Sequence, residues 1–181
     1  AKEVYFVWSV GEVDKNPFSP AQWTAALDQI HDRPGGALVI AHSTQPAWVT
    51  DGHFDGLYNY ATLHPEREGG FDWARSVPDA ALYIPSVIPG FSAVKIRYSP
   101  DVNVPRNDGQ TYDYQWQLAL GTGVEPAMVT ITSFNEWHEG SIIEPAAPAD
   151  GYKDFGALGR HWYLDQTRKW VEEFRYRLLP P

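Results

Sequence analysis

The 181 residues, 43% of them hydrophobic and with charges of both signs well mixed, are enough for one domain with a core of its own. A formal charge of -9 and a pI near 5.0 argue against a nucleic-acid or anionic-membrane partner, which needs a basic face, and an uncharged or weakly charged ligand fits better. Cysteine is absent, which rules out disulfides, thiol catalysis and thiolate metal sites.

Residues 4–10 form the first apolar run and read as a strand. The run follows Ala1 closely, with no charged-then-apolar leader and no initiator methionine, so the chain reads as mature or trimmed. Ser19 and Pro20 make a helix N-cap and first helical position, Trp23, Leu27 and Ile30 follow at helical spacing, and Pro34, Gly35 and Gly36 stop the helix. Strands are predicted over residues 37–41 and 56–60, the second carrying Tyr58 and Tyr60, which alternate so that both can face one side. A further strand over 81–87 leads into a long loop, 88–109, that carries Arg97 and Arg106, whose guanidinium groups can fork onto sugar hydroxyls or steady a carboxylate, or lie on the surface. Tyr112, Trp116, Ala119 and Leu120 form a second helical stripe that Gly121 can close. The last strand is predicted over 128–134, and Tyr163, Trp170, Val171, Phe174 and Leu178 trace the stripe of a final helix.

Five strands of nearly continuous apolar character suit a parallel sheet covered on both faces. Their alternation with crossovers implies right-handed βα units, either doubly wound or in a (β/α)8 barrel. Long segments rich in Gly, Pro and Asn come after strands, at 88–109 and 139–159, and barrel enzymes put their chemistry on the loops that follow strands. A closed barrel takes eight strands and roughly 250 residues. The predicted fold is therefore α/β, a TIM-type (β/α)8 barrel of which residues 1–181, one domain, supply about five C-terminal βα units. The remainder is expected from a missing N-terminal half or from a second copy.

Residues 128–134 run straight into Asn135, Glu136, Trp137, His138, Glu139 and Gly140, which places two carboxylates where a parallel strand ends. On a regular strand residues three apart face opposite ways. Both carboxyls flank one bond only if the strand stops at Asn135 and the chain turns, as Gly140 permits. Glycosidic cleavage asks for such a pair, one carboxyl protonated to assist the leaving oxygen and one ionised as base or nucleophile. Asn135 and His138 can hold carboxylates and substrate hydroxyls by hydrogen bonds, and Trp137 offers a ring for a sugar face. A solvated acidic loop is the plainer alternative, and Glu136, His138 and Glu139 are also metal-ligand types, although no second His-rich or Asp-rich cluster accompanies them. The eight Trp, ten Tyr and eight Phe fit a core as well as they fit sugar stacking. His31, His42, His53, His64 and His161 read as structural or solvent-facing.

The stretch from Ile131 through Thr132, Ser133, Phe134, Asn135, Glu136, Trp137, His138, Glu139 and Gly140, with Ile143, Glu144 and Pro145 beyond, resembles the signature of family 99 glycoside hydrolases, the endo-α-mannosidases and endo-α-mannanases. Phe54, Asp55, Gly56, Leu57, Tyr58, Asn59 and Tyr60 agree with it, as do Ile84, Pro85, Ser86 and Val87, then Pro89, Gly90 and Phe91, and Tyr163 and Leu164 through Thr167 and Arg168 to Trp170. The resemblance spans nearly all of this chain and the C-terminal part of the family. It implies an endo-acting, retaining enzyme that cleaves internal α-mannosidic linkages without a metal or other cofactor, on an oligosaccharide or polysaccharide containing α-mannose. It implies that Glu136 deprotonates the sugar's own 2-hydroxyl to give a 1,2-anhydro intermediate, and that Glu139 protonates the leaving oxygen and then activates water. Tyr58 or Tyr60 matches the family's active-site tyrosine. An extracellular or periplasmic location is likewise implied.

The chain departs from the family where an Asn-His-Asn-Thr-Arg-like segment is expected and Ser99, Pro100, Asp101, Val102, Asn103, Val104, Pro105 and Arg106 stand instead. Two other readings remain beside the hydrolase: a non-catalytic carbohydrate-binding barrel fragment, and a polysaccharide-biosynthesis protein sharing an Asn-Glu-Trp-x-Glu-Gly turn.

Overall fold

The computed structural model describes residues 2–12, 14–67, 69–92, 103–147 and 155–178. The chain divides into two compact units, one of Ala1–Tyr60, Phe71–Pro85 and Thr122–Val129, the other of Ala61–Gly70, Ser86–Gly121 and Thr130–Pro181.

The first unit contains, in chain order, β1 (Glu3–Val7), α1 (Pro20–His31), β2 (Ala37–His42), α2 (Ala47–Thr50), β3 (Gly56–Tyr58) and β4 (Leu82–Ile84). The four strands form a wholly parallel sheet in the order β1-β2-β3-β4. Crossovers lie between successive strands, as the alternation in the sequence requires. Helix α1 starts where expected: the Gln22 side chain accepts the Ser19 backbone N–H at 2.8 Å, and Pro20 takes the first turn, where its missing N–H costs nothing. Strand β2 shows why the runs are apolar throughout. Val39 and Ala41 pack with Leu27, Trp48, Phe54 and Leu57 on one face, while Ile40 packs with Tyr58 and Ile84 on the other. Gly56 is fixed by the approach of β4, since a Cβ there would stand 2.6 Å from the Leu82 carbonyl oxygen.

Three expectations change in detail. The first strand pairs only over Glu3–Val7, and its Val4, Tyr5 and Phe6 are exposed rather than covered, because β1 bonds to β2 alone among the described strands. The third strand stops at Tyr58. The run over 81–87 is two strands in two ladders, interrupted at Pro85, which has no N–H to give to a ladder.

The second unit contains β5 (Ser86–Val87), α3 (Gln110–Leu120), β6 (Thr130–Ile131) and α4 (Trp162–Leu178). Strands β5 and β6 are parallel, and the pairing is prolonged by Thr132 N–H donating to Val87 O at 3.0 Å and by a buried 2.9 Å bond between the Ser86 and Thr132 hydroxyls. The strand expected over 128–134 thus pairs over two residues, because the backbone beyond Thr132 turns into a loop. Tyr112, Trp116, Ala119 and Leu120 are buried along α3 as their spacing foretold. Helix α4 lies against α3 through the stacked Trp116 and Trp170 rings, 6.0 Å apart, a Tyr112–Thr167 hydroxyl bond of 2.8 Å and a 2.7 Å bond from Trp170 Nε1 to Asp113. Arg177 donates to the Leu120 carbonyl at 2.8 Å, which satisfies an acceptor left open at the end of α3. Of the stripe expected on α4 only Tyr163 is buried, and Val171 and Leu178 face outward. The observed architecture is α/β with parallel strands and helical crossovers.

Candidate active site

The chain leaves β6 and folds into a closed loop. Ser133 N–H donates to Ser141 O at 2.9 Å, Ile143 N–H to Ser133 O at 3.1 Å and Glu144 N–H to Phe134 O at 2.8 Å, so the neck is a short backbone ladder. Between its two sides stand Asn135, Glu136, Trp137, His138, Glu139 and Gly140. Gly140 N–H returns to Trp137 O at 3.1 Å, and Gly140 itself sits at φ 58°, a conformation that carries little strain only without a Cβ. The turn that the two glutamates require therefore exists.

Side chains fix the loop from within. Ser133 Oγ accepts the Glu136 N–H at 2.9 Å and lies 3.0 Å from Ser141 Oγ. Trp137 Nε1 donates to Glu144 Oε2 at 3.0 Å, which anchors the indole. The Glu136 carboxylate curls toward its own turn: Oε1 accepts the His138 N–H at 3.3 Å and lies 3.8 Å from His138 Nδ1. Glu136 keeps 44% of its side chain exposed and His138 63%, whereas Oε2 of Glu139 is buried. The two carboxyls thus meet solvent differently.

Arg106 holds this loop from behind. Its Nη2 donates to the carbonyl oxygens of Gly140 at 2.9 Å and Ile142 at 2.6 Å, and its guanidinium carbon stands 5.0 Å from the Phe155 ring centre and 4.6 Å from that of Tyr163. Ser92 N–H adds a 2.7 Å bond to Glu139 O. Burial raises the Tyr163 phenol above its ordinary value, and the nearby Arg106 charge opposes that rise. Arg97 lies outside the described residues.

Tyr58 and Tyr60 belong to the first unit, so they are described apart from the turn. They do face one side, as their alternation predicts, because both meet His42: the ring centres are 5.1 Å away for Tyr58 and 6.5 Å for Tyr60. Tyr58 is buried against Phe6, edge to face at 4.9 Å, and burial raises its phenol, with Tyr60 adding to the rise. Tyr60 is exposed and meets Trp8 edge-on at 4.7 Å. Trp8 lies flat on His42, centres 4.3 Å apart and planes 16° from parallel. The Ser9 N–H donates to His42 Nδ1 at 3.1 Å.

Sequence reasoning brought Asn135, Glu136, Trp137, His138, Glu139 and Arg106 to one loop and its support; it gave no site role to Ser133, Ser141, Glu144 or Trp8, and it read His42 as structural or solvent-facing. Ser133 and Glu144 carried a local signal, flanking the motif by a few positions. Trp8 and His42 carried none, since their meeting depends on the β1-β2 register in which Val7 pairs with Ala41.

Known proteins share this arrangement of elements. Two solved structures of an endo-alpha-mannosidase from Bacteroides thetaiotaomicron superpose with TM-scores of 0.80 and 0.77 at 28% and 30% identity, each over 96% of this chain and over 58% and 55% of its own length. The glycoprotein endo-alpha-1,2-mannosidase-like protein of Mus musculus is 34% identical and the glycoprotein endo-alpha-1,2-mannosidase of Xenopus laevis 35% identical, each over 86% of this chain. The chain spans 38% of the length of either relative. The family model for glycosyl hydrolase family 99 matches residues 31–176, which takes in β2 through most of α4 and the whole glutamate turn. A match of that extent, joined to the same order of parallel strands and crossovers, makes this chain a member of glycosyl hydrolase family 99.

Proposed function

We propose that residues 1–181 are one domain, the five C-terminal βα units of a TIM-type (β/α)8 barrel, and that the protein is an endo-acting, retaining glycoside hydrolase of internal α-mannosidic linkages. The observation that carries this reading is the closed turn after β6, which sets Glu136 and Glu139 three residues apart on one loop with unequal access to solvent. The family membership and the mannosidase names of the relatives support the same substrate class. An N-terminal half, or a second copy, completes the barrel. An extracellular or periplasmic location is part of the same proposal.

In the proposed reaction the Glu136 carboxylate takes the proton of the sugar's 2-hydroxyl. O2 then attacks C1 while the glycosidic C1–O bond breaks, and the Glu139 carboxylic acid gives its proton to the departing oxygen. The resulting 1,2-anhydro sugar is opened at C1 by a water that loses its proton to the Glu139 carboxylate, and O2 recovers its proton from Glu136. Two inversions at C1 give net retention, and protons are the only species the protein must move. In this reading Asn135, Trp137 and His138 bind the sugar beside the carboxyls, and Tyr58, Tyr60 and Arg97 are further sugar contacts. Arg106, read from the sequence as a sugar contact, a support for a carboxylate or a surface residue, donates to the loop that carries the proposed acid.

The test is reducing-end release from an α-mannan oligosaccharide by the full-length protein. Internal cleavage with retained anomeric configuration is expected, and Glu136→Gln or Glu139→Gln should each abolish it. A full-length protein that binds the oligosaccharide and releases nothing would leave a carbohydrate-binding role in place of hydrolysis.

A further inference from the structure

The aromatic cluster at the strand ends of the first unit contains two residues for which the reaction above has no use. Trp8 follows β1 directly and is 46% exposed, although it is among the largest apolar side chains of the unit. Its underside is covered by His42, the last residue of β2, in a near-parallel stack at 4.3 Å. An indole supported on one face and exposed to solvent has a firm orientation, which a lone surface Trp lacks.

The imidazole beneath it is also fixed in its hydrogen-bonding role. Nδ1 accepts the Ser9 N–H at 3.1 Å, so in the neutral ring Nδ1 carries the lone pair and Nε2 carries the proton. Burial lowers the His42 pKa from its ordinary value, with the Lys15 charge adding to the effect and the Glu12 charge opposing it, which favours this neutral form at pH 7. Among the described residues no acceptor meets Nε2–H. A flat aromatic face, a fixed donor beside it and the Tyr60 ring standing upright at 4.7 Å together offer one stacking surface and polar groups at its margin. This is the complement of a neutral pyranose, whose axial C–H groups lie on the negative face of an aromatic ring while its equatorial hydroxyls bond at the edge. A purely apolar ligand would leave Nε2–H unmatched, and a charged one finds no counter-ion in the stack.

We propose that Trp8 and His42 form a pyranose-binding subsite, Trp8 as the platform and His42 Nε2 as a hydroxyl donor. The proposal rests on the glycosidase reading above for the sugar it takes, a neutral hexopyranose unit of the same glycan. It assigns both residues to binding, with no part in bond cleavage.

Full-length protein carrying Glu136→Gln and labelled with 5-fluorotryptophan separates the possibilities. The fluorine resonance lost in a Trp8→Phe variant belongs to Trp8, and titration with α-mannobiose should shift that resonance saturably. In the active protein Trp8→Ala should raise KM about threefold to tenfold, the range expected for one aromatic stack, with the loss falling on KM and not on kcat. His42→Gln should raise it less. A Trp8 resonance that stays in place while the wild-type protein cleaves mannan overturns the subsite and leaves the hydrolase standing. Shifted Trp8 without cleavage by the wild type upholds the subsite and overturns the hydrolase, and no sugar binding of any kind overturns both.

Discussion

Arg106 reaches 34 positions along the chain to hold the carbonyl of Gly140 at 2.9 Å, and with the same nitrogen it holds Ile142 at 2.6 Å. These two acceptors bracket the return of the glutamate turn, and the guanidinium that binds them is itself packed against the adjoining rings of Phe155 and Tyr163. Arg106→Met keeps the stem but leaves two carbonyls without their donor. A loss of about 2–4 kcal/mol of stability is expected from the unmatched acceptors and the lost ring contacts. Arg106→Lys should recover only part, because an ammonium can donate to the carbonyls but does not reproduce the flat guanidinium's contact with the Phe155 and Tyr163 rings. Thermal unfolding by circular dichroism measures both.

Ser133 carries a smaller load at a more sensitive place. Its Oγ accepts the Glu136 N–H at 2.9 Å and meets Ser141 Oγ at 3.0 Å. Ser133→Ala should cost about 1 kcal/mol of stability. The loss of kcat should exceed what that figure predicts, since Glu136, the proposed base, loses its backbone anchor. Parallel measurement of melting temperature and kcat checks the difference; equal losses would place Ser133 in folding alone.

If Glu136 and Glu139 act as the proposed base and acid, the rate falls on both sides of an optimum. The pH profile of kcat/KM for the full-length protein should be bell-shaped over the range from about pH 4 to 8, because the proposed reaction needs one carboxyl ionised and the other protonated. A flat profile through that window would remove the glutamate pair from the mechanism.

His42 adds a separate pH dependence, on stability. Its pKa in the folded chain is lowered from the ordinary 6.5, chiefly by burial, with Lys15 contributing and Glu12 opposing. The unfolded chain therefore binds this proton more readily than the folded one. The stability that the neutral ring contributes is complete above pH 6.5 and declines as the pH falls toward and through the lowered folded value. His42→Gln should flatten that part of the decline in melting temperature between pH 7.5 and 5, and an unchanged slope would trace the decline to other groups.

Much of this architecture was legible because it is local. Ser19 and Pro20 open α1, the Trp23, Leu27 and Ile30 stripe faces the sheet, and Gly140 closes the turn, each through chemistry confined to a few neighbouring residues. Strand ends were less legible, because pairing partners decide them: residues 81–87 look continuous in hydrophobicity, yet Pro85 divides them between two ladders. The stripe on α4 was overread, for Trp170 and Tyr163 meet α3 while Val171 and Leu178 do not need cover. Arg106 could be picked out as a charged residue in a long loop, but its true acceptors are main-chain oxygens, which no residue type announces. Trp8 over His42 is a product of strand register, invisible until β1 and β2 are set side by side.

Strand β1 leaves one more matter, and it is colloidal. Among the described residues it bonds to β2 on one flank only, and its Val4, Tyr5 and Phe6 are 40%, 52% and 41% exposed, so no described strand pairs with its other row of main-chain donors and acceptors, which lies beside greasy side chains. Such a margin is a template for intermolecular pairing. Prepared alone, these 181 residues should therefore oligomerise with rising concentration. A charge placed at Tyr5 ought to improve solubility more than Glu172→Asp, which keeps the charge of a position already exposed on α4.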